Sequence, residues 1–306
     1  MFILIGFIGL TVGAECLVRG AKSLALRLGI SSLVIGLTVV AFATSAPELA
    51  VCVQAALGGS SDIAMGNIVG SNIANILLIL GITALVFPIS IEKSIVSREI
   101  PVMLCVTALL LYMIQDLMIT KIDGGILFSG IVIYTGFSYW SSKNGKPNGN
   151  GEPKDVMPAW KASLLVLIGI VSLVYGADWF VNGAVIVATF FGVSERVIGL
   201  TLVAFGTSLP EVATAISAAL KKECDIITGN IIGSNIFNIL MILGISSLVQ
   251  PIEVSTATRL MDAPIMAGVA IMLWPLAART RVLGRGVGVF FLVLYGAYIS
   301  YLFTAI

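Results

Sequence analysis

The sequence contains no histidine among its 306 residues. That excludes serine–histidine nucleophilic chemistry and imidazole proton relays. Charge is scarce as well: 11% of residues are Asp, Glu, Lys or Arg and 58% are apolar, whereas soluble domains are about a quarter charged. The composition is that of an integral membrane protein. A net charge of +1 argues neither for nucleic acid nor for an acidic partner. Cys16, Cys52, Cys105 and Cys224 are scattered in or beside apolar runs. They make neither a zinc spacing nor a disulfide framework and read as small core residues. There is no phosphate-binding loop and no polar stretch large enough for an ATP-binding domain, so the sequence does not read as an enzyme. The first ten residues carry no positive charge and read as the start of a membrane helix, not a cleaved signal.

What the sequence does contain is a duplication. Residues 36–82, moved 163 positions onto 199–245, give 30 identities in 47 positions. The first block is V-A-F-A-T-S-A-P-E at 40–48, matched by V-A-F-G-T-S-L-P-E at 203–211. The second is G-N-I-V-G-S-N-I-A-N-I-L at 66–77, matched by G-N-I-I-G-S-N-I-F-N-I-L at 229–240. Weaker similarity pairs Gly13–Glu15 with Gly176–Asp178. Self-similarity of this extent means an internal repeat.

Ten apolar segments have the ~20-residue length of a membrane-spanning helix. They fall near 2–26, 32–57, 63–87, 99–115 and 123–142, then 160–189, 195–220, 226–250, 260–278 and 285–305. Five spans per half is odd, so the halves enter the membrane in opposite senses. Basic residues agree. Loops on the N-terminal side hold Lys121, Arg196 and Arg259, while twelve Lys and Arg fall on the other side, including Arg27, Lys93, Arg98, Lys143 and Lys221. The richer side is cytoplasmic, which puts both termini outside. The expected layout is an all-α membrane protein: a five-helix repeat over 1–142, a flexible cytoplasmic linker over 143–159, and an inverted five-helix repeat over 160–306. The linker begins S-S-K-N-G-K-P-N-G-N-G-E-P-K, polar and without apolar periodicity.

Each first block ends in Pro-Glu within an apolar run. A carboxylate at that depth is a functional candidate by default, and a proline there frees backbone carbonyls that need another partner. Interrupted apolar segments at matching places in two halves point to a transporter's binding site. If the halves pack face to face, Glu48 and Glu211 approach each other. Two carboxylates ~4 Å apart repel by about 4 kcal/mol at an effective dielectric of ~20. No Lys, Arg or His lies in either motif, so the pair must be protonated or hold a metal cation. The surroundings are hydroxyls of Thr44, Ser45, Thr207, Ser208, Ser71 and Ser234 and amides of Asn75 and Asn238. An all-oxygen shell suits a hard cation such as Ca²⁺, and Na⁺ has a similar radius. Asn75 and Asn238 each follow their glutamate by 27 residues, which brings the chain back to about the same depth on the next span. Ser45, Ser208, Asn67, Asn230, Asn72 and Asn235 read either as ion contacts or as packing and capping groups. Glu15 has Arg19 one turn on and reads as its pair or as lining an ion path, with Asp178 as its counterpart. Methionines along the spans read as core or lipid-facing.

The paired blocks A-T-S-A-P-E with G-N-I-V-G-S-N-I-A-N, and G-T-S-L-P-E with G-N-I-I-G-S-N-I-F-N, resemble the two alpha repeats of the calcium/cation antiporter superfamily, specifically its prokaryotic sodium/calcium exchanger branch. The resemblance implies exchange of external Na⁺ for internal Ca²⁺ by alternating access, with more than two Na⁺ per Ca²⁺ and hence electrogenic transport. It implies calcium ligands at Glu48 and Glu211, with backbone carbonyls from Thr44 and Thr207. Sodium positions follow at Ala41 and Ser71 and at Ala204 and Ser234, with Asn75 and Asn238 closing the centre. The first and sixth helices would slide as a unit to switch access. Potassium-dependent members have an aspartate where Asn238 stands, so potassium coupling is not implied. Ala43 replaces a glycine that Gly206 keeps. The implied partners are the two ions and the bilayer, with no cofactor, no nucleic acid and no obligatory protein partner. A proton/calcium antiporter is the alternative, then a cation channel.

Overall fold

The computed structural model describes residues 1–144, 157–191 and 206–305. Nearly all of it is helix. We number the helices α1 Phe2–Leu28, α2 Ser32–Thr44, α3 Ala46–Leu57, α4 Ser61–Val86, α5 Ile95–Asp116, α6 Lys121–Lys143, α7 Ala159–Phe190, α8 Leu209–Leu220, α9 Cys224–Val249, α10 Thr258–Thr280 and α11 Arg285–Leu302. Among the described residues, eight of these are long and apolar enough to cross a membrane alone, and α2 and α3 together form a ninth, bent by 47°. The segment expected over 195–220 is described only from Gly206, where α8 is its helix. The protein is a multi-pass membrane protein.

Short turns punctuate the helices with the expected chemistry. Gly29 closes α1 in the left-handed conformation, φ 65°, which costs glycine nothing. Ser31 then caps α2, its hydroxyl accepting from Val34 N at 3.3 Å. After α5 and α10 the chain turns through Leu117 and Arg281, both at positive φ, into two of the four two-residue strands. The four are β1 Ile89–Ser90, β2 Met118–Ile119, β3 Ile252–Glu253 and β4 Val282–Leu283. They pair crosswise between the halves: Ile89 opposite Leu283, and Ile119 opposite Ile252. Sequence periodicity could not show strands this short.

The centre is built by α4 and α9. Their most apolar windows are 78% and 89% buried, against 39% or less for the other six single spans. Bulky apolar side chains such as Trp140, Tyr112 and Val293 stay exposed around the outside, as lipid contact requires. The α1–α7 pair is locked by glycine. Gly6, Gly13 and Gly20 on α1 recur 163 positions later as Gly169, Gly176 and Gly183 on α7. A Cβ at Gly13 would lie 2.8 Å from Leu173 N, and one at Gly176 would lie 2.7 Å from Leu10 N. Backbone contact this close is the mode that small residues permit between membrane helices. In the same way α9 meets α2: a Cβ on Gly229 would come 2.6 Å from Leu33 O, and one on Gly233 2.7 Å from Leu37 O.

Three smaller expectations are corrected. The interruption expected of the motif segments is confined to the first blocks, and the second-block segments are continuous helices widened by a π-helical turn. Cys105 is exposed, not core, because it falls on the outer face of α5. Arg98 lies within the first turn of α5 rather than in a loop. There its Nη2 pairs with buried Glu99 at 2.6 Å, and Tyr134 donates to the other Glu99 oxygen at 2.7 Å. That satisfied acid explains how α5 tolerates a buried charge.

Candidate functional site

The chain breaks between α2 and α3 at Ser45 (φ −83°, ψ 6°) and again before α8 at Ser208 (φ −87°, ψ 2°). Proline causes the break. Pro47 has no N–H to offer Ala43 O, and its ring crowds that carbonyl; Pro210 stands in the same relation to Gly206. Hydrogen bonding continues on either side, Ser45 N donating to Ala41 O at 3.0 Å and Leu49 N to Ser45 O at 3.1 Å. A new helix thus starts at each serine, with Glu48 and Glu211 in the first turns of α3 and α8. Helix N-termini favour negative charge. Both glutamates are only 1% exposed.

The two breaks cross. The Ser45 hydroxyl stands 3.5 Å from Glu211 Oε1, Thr44 is within hydrogen-bonding reach of the same carboxylate, and Thr207 is within reach of Glu48. Each carboxylate therefore meets the hydroxyls of the other half. Behind them the asparagines repeat the crossing. Asn67 Nδ2 donates to Thr207 Oγ1 at 3.4 Å, and Thr44 Oγ1 donates to Asn230 Oδ1 at 3.1 Å. Asn75 Nδ2 donates to Asn235 Oδ1 at 3.2 Å, and Asn238 Nδ2 to Asn72 Oδ1 at 3.1 Å. Both Asn75 and Asn238 begin π-helical turns, over Asn75–Ile79 and Asn238–Leu243, a distortion often found at functional sites.

Several buried oxygens here have no hydrogen-bond partner: Glu48 Oε2, Glu211 Oε2, Asn75 Oδ1, Asn238 Oδ1 and Ser234 Oγ. A buried, unpartnered acceptor normally costs stability, so five at one centre call for a common partner. All are oxygen, and among the described residues no group of three or more His, Cys, Asp or Glu is placed to hold a metal ion. Two carboxylates with neutral oxygens suit a hard cation and not zinc or copper. Of the remaining expected positions, Ala41 is buried in α2, with its carbonyl also 3.4 Å from the Thr44 hydroxyl. Ser71 is buried on α4 one turn before Asn75, and Ser208 is buried at its break. Ala204 lies outside the described residues. Thr214, one turn beyond Glu211, is fully buried with an unpartnered hydroxyl; its counterpart Val51 is apolar, so the repeat gave no signal for it.

The acids outside this centre are otherwise engaged. Glu15 pairs with Arg19 and with Lys221 Nζ, tying α1 to the end of α8, and Lys22 pairs with Glu223 beside it. Asp178 is exposed on α7.

Buried acids and amides at the crossing of two discontinuous elements, within a sheath of apolar helices, define a polytopic membrane protein with a polar centre. The sequence profile described as sodium/calcium exchanger protein matches residues 1–140 and 161–304, and the chain belongs to that family. It is 38% identical over 307 residues to antiporter CaxA of Alkalimonas amylolytica, covering 98% of this chain and 96% of that one. It is 32% identical over 349 residues to sodium/calcium exchanger MaX1 of Methanosarcina acetivorans, covering 99% and 98%. A solved structure of the sodium-calcium exchanger NCX_Mj matches with a TM-score of 0.86 at 33% identity, covering 98% of this chain and 97% of that one.

Proposed function

We propose that the protein is a secondary active antiporter that exchanges Na⁺ for Ca²⁺ by alternating access, electrogenically and without K⁺. One observation carries the reading: two buried carboxylates, each meeting hydroxyls from the opposite half, beside unpartnered amide oxygens. Glu48 and Glu211 are the central ligands in this reading. Thr44, Thr207, Asn75, Asn238, Ser71, Ser234, Ala41 and Ala204 complete the calcium and sodium positions, with Ser45 and Ser208 secondary. Two negative charges are neutralised by one Ca²⁺, or by Na⁺ ions spread onto the flanking oxygens. The empty site, doubly negative, resists crossing an apolar barrier, and that resistance couples the two fluxes. The reading also takes 1–142 and 160–306 as two inverted five-helix repeats, ten spans in all, joined by a cytoplasmic linker at 143–159 with both termini outside. The crosswise strand pairs and the glycine lock support a two-fold relation between the halves. The names of the sodium/calcium exchangers among its relatives support the choice of ions.

The test uses purified protein in Na⁺-loaded vesicles, following ⁴⁵Ca²⁺ uptake on dilution into Na⁺-free buffer. Uptake should require the Na⁺ gradient, survive a proton ionophore, and be indifferent to replacing K⁺ by choline. With more than two Na⁺ leaving per Ca²⁺, an inside-positive potential should speed it. Uptake driven by a pH gradient alone would replace this reading with proton exchange, and uptake indifferent to both gradients would indicate a channel.

A further inference from the structure

Behind the carboxylates lie two hydrogen-bonded chains of which the exchange reading uses only the last members, Asn75 and Asn238. Asn72 Nδ2 donates to Met266 Sδ at 3.5 Å, while Asn72 Oδ1 accepts from Asn238 Nδ2 at 3.1 Å. In the other half Asn235 Nδ2 donates to Met103 Sδ at 3.5 Å, and Asn235 Oδ1 accepts from Asn75 Nδ2 at 3.2 Å. Every member of one chain lies 163 positions from its equivalent in the other. All four residues behind Asn75 and Asn238 are buried, at 1–3% exposure. Each chain ends in an unpartnered oxygen, Asn238 Oδ1 or Asn75 Oδ1.

We propose that Asn72 and Asn235 are positioning residues that fix which way the amides of Asn238 and Asn75 face, with Met266 and Met103 setting the direction. A thioether accepts hydrogen bonds and has no proton to donate. The amide beside it must therefore turn its nitrogen to sulfur and its oxygen to the next asparagine. That asparagine must in turn present its nitrogen, which leaves its oxygen for the ion. A flipped Asn238 would set oxygen against oxygen behind it and aim an N–H₂ at a cation. A neutral amide can be a dependable cation ligand only if something prevents the flip, and here that something is a sulfur two residues removed. Groups behind a ligand commonly matter about 10–100-fold in metal affinity when removed.

This inference rests on the exchange reading, and the experiment separates the two. ⁴⁵Ca²⁺ binding at equilibrium and the KM of Na⁺-driven uptake are measured for the unmodified protein, Asn72→Leu, Met266→Leu, these two combined, Asn238→Asp, and Asn72→Leu combined with Asn238→Asp. Leucine keeps the branched shape of asparagine and nearly the volume of methionine while removing their hydrogen bonds, and a carboxylate at 238 has equivalent oxygens that need no orienting. Asn72→Leu should weaken Ca²⁺ about tenfold or more. Met266→Leu should do so in the same direction and add nothing to Asn72→Leu when the two are combined. In the N238D background Asn72→Leu should cost less than about twofold, since no flip is left to prevent. Equal weakening in both backgrounds would mean packing and overturn the inference, as would unchanged affinity in Asn72→Leu or Met266→Leu. No Ca²⁺ binding by the unmodified protein would overturn the exchange reading itself.

Discussion

Replacing Glu211 by glutamine removes one charge from the centre and nearly nothing else. The carboxylate is 1% exposed, one oxygen faces Ser45, and the other has no partner. With an ion ~3 Å from the carboxylate and an effective dielectric of ~20, each unit of ion charge loses about 5 kcal/mol of attraction. Ca²⁺ therefore loses about twice what Na⁺ loses. The amide oxygen returns part of this. Even if only a quarter of the divalent loss survives, about 3 kcal/mol, Ca²⁺ affinity falls more than a hundredfold. Glu48→Gln should behave alike, because Glu48 is equally buried and likewise leaves one oxygen unpartnered. The assay is Na⁺-driven ⁴⁵Ca²⁺ uptake with KM measured over a wide Ca²⁺ range, alongside thermal melting in cation-free buffer. Melting should not fall, since removing one of two neighbouring like charges relieves repulsion. A KM within tenfold of the parent's in either variant would refute the argument and leave the acids as hydrogen-bonded core groups.

Three further outcomes are expected. Gly176→Val should lower the melting temperature of the purified protein, by about 1–3 kcal/mol of overpacking, because its Cβ meets Leu10 N at 2.7 Å and neither backbone can yield; Gly296→Val on open surface should not, and equal melting of the two would count against the glycine lock. Glu15→Gln should leave the KM for Ca²⁺ within about twofold, because Glu15 is held by Arg19 and Lys221 at a partly exposed position where ion pairs are worth about 0–1 kcal/mol; a large rise would put it on the ion path. Cleavage at a protease site inserted between Lys143 and Met157 should leave exchange intact, because the α1–α7, α2–α9 and strand contacts all join the halves; loss of uptake on cleavage would show that the connection does more than tether.

The sequence was informative wherever an expensive group stood in an apolar run. Pro47 and Glu48 are intelligible alone, because neither is tolerated in a membrane helix without a reason, and their repetition at Pro210 and Glu211 gives the crossing. The role of Asn72 and Asn235 was not legible. Small polar residues serve equally as packing groups, and only the hydrogen-bond partners separate the two uses. Met103 and Met266 read as filler, since a thioether has no chemistry that composition reveals; their shared 163-residue spacing was the available signal. The π-helical turns at Asn75 and Asn238 were hidden for another reason. A one-residue widening leaves the apolar pattern of a helix buried on all sides unchanged.

The proposed two-fold relation between the halves also constrains what such a transporter can do. Under the proposed reading, strictly identical halves would make the outward-open and inward-open states images of each other, with equal ion affinities on the two sides. Any difference in affinity must then arise where the halves differ. Beside the carboxylates, Cys52 supplies one such difference: its Sγ lies 3.6 Å from Asn67 Oδ1, and the second half has Ala215 at the equivalent position. A thiol there can donate to the Asn67 oxygen, and the Asn67 nitrogen donates to Thr207 Oγ1 at 3.4 Å. Asn230 lacks that thiol. It accepts the Thr44 proton instead and keeps a nitrogen without a partner. The threonine beside Glu48 thus accepts from its asparagine, while the threonine beside Glu211 donates to its own. The two acids are equal in burial but not in the hydrogen bonding around them, and the inequality begins at Cys52, one helical turn from Glu48.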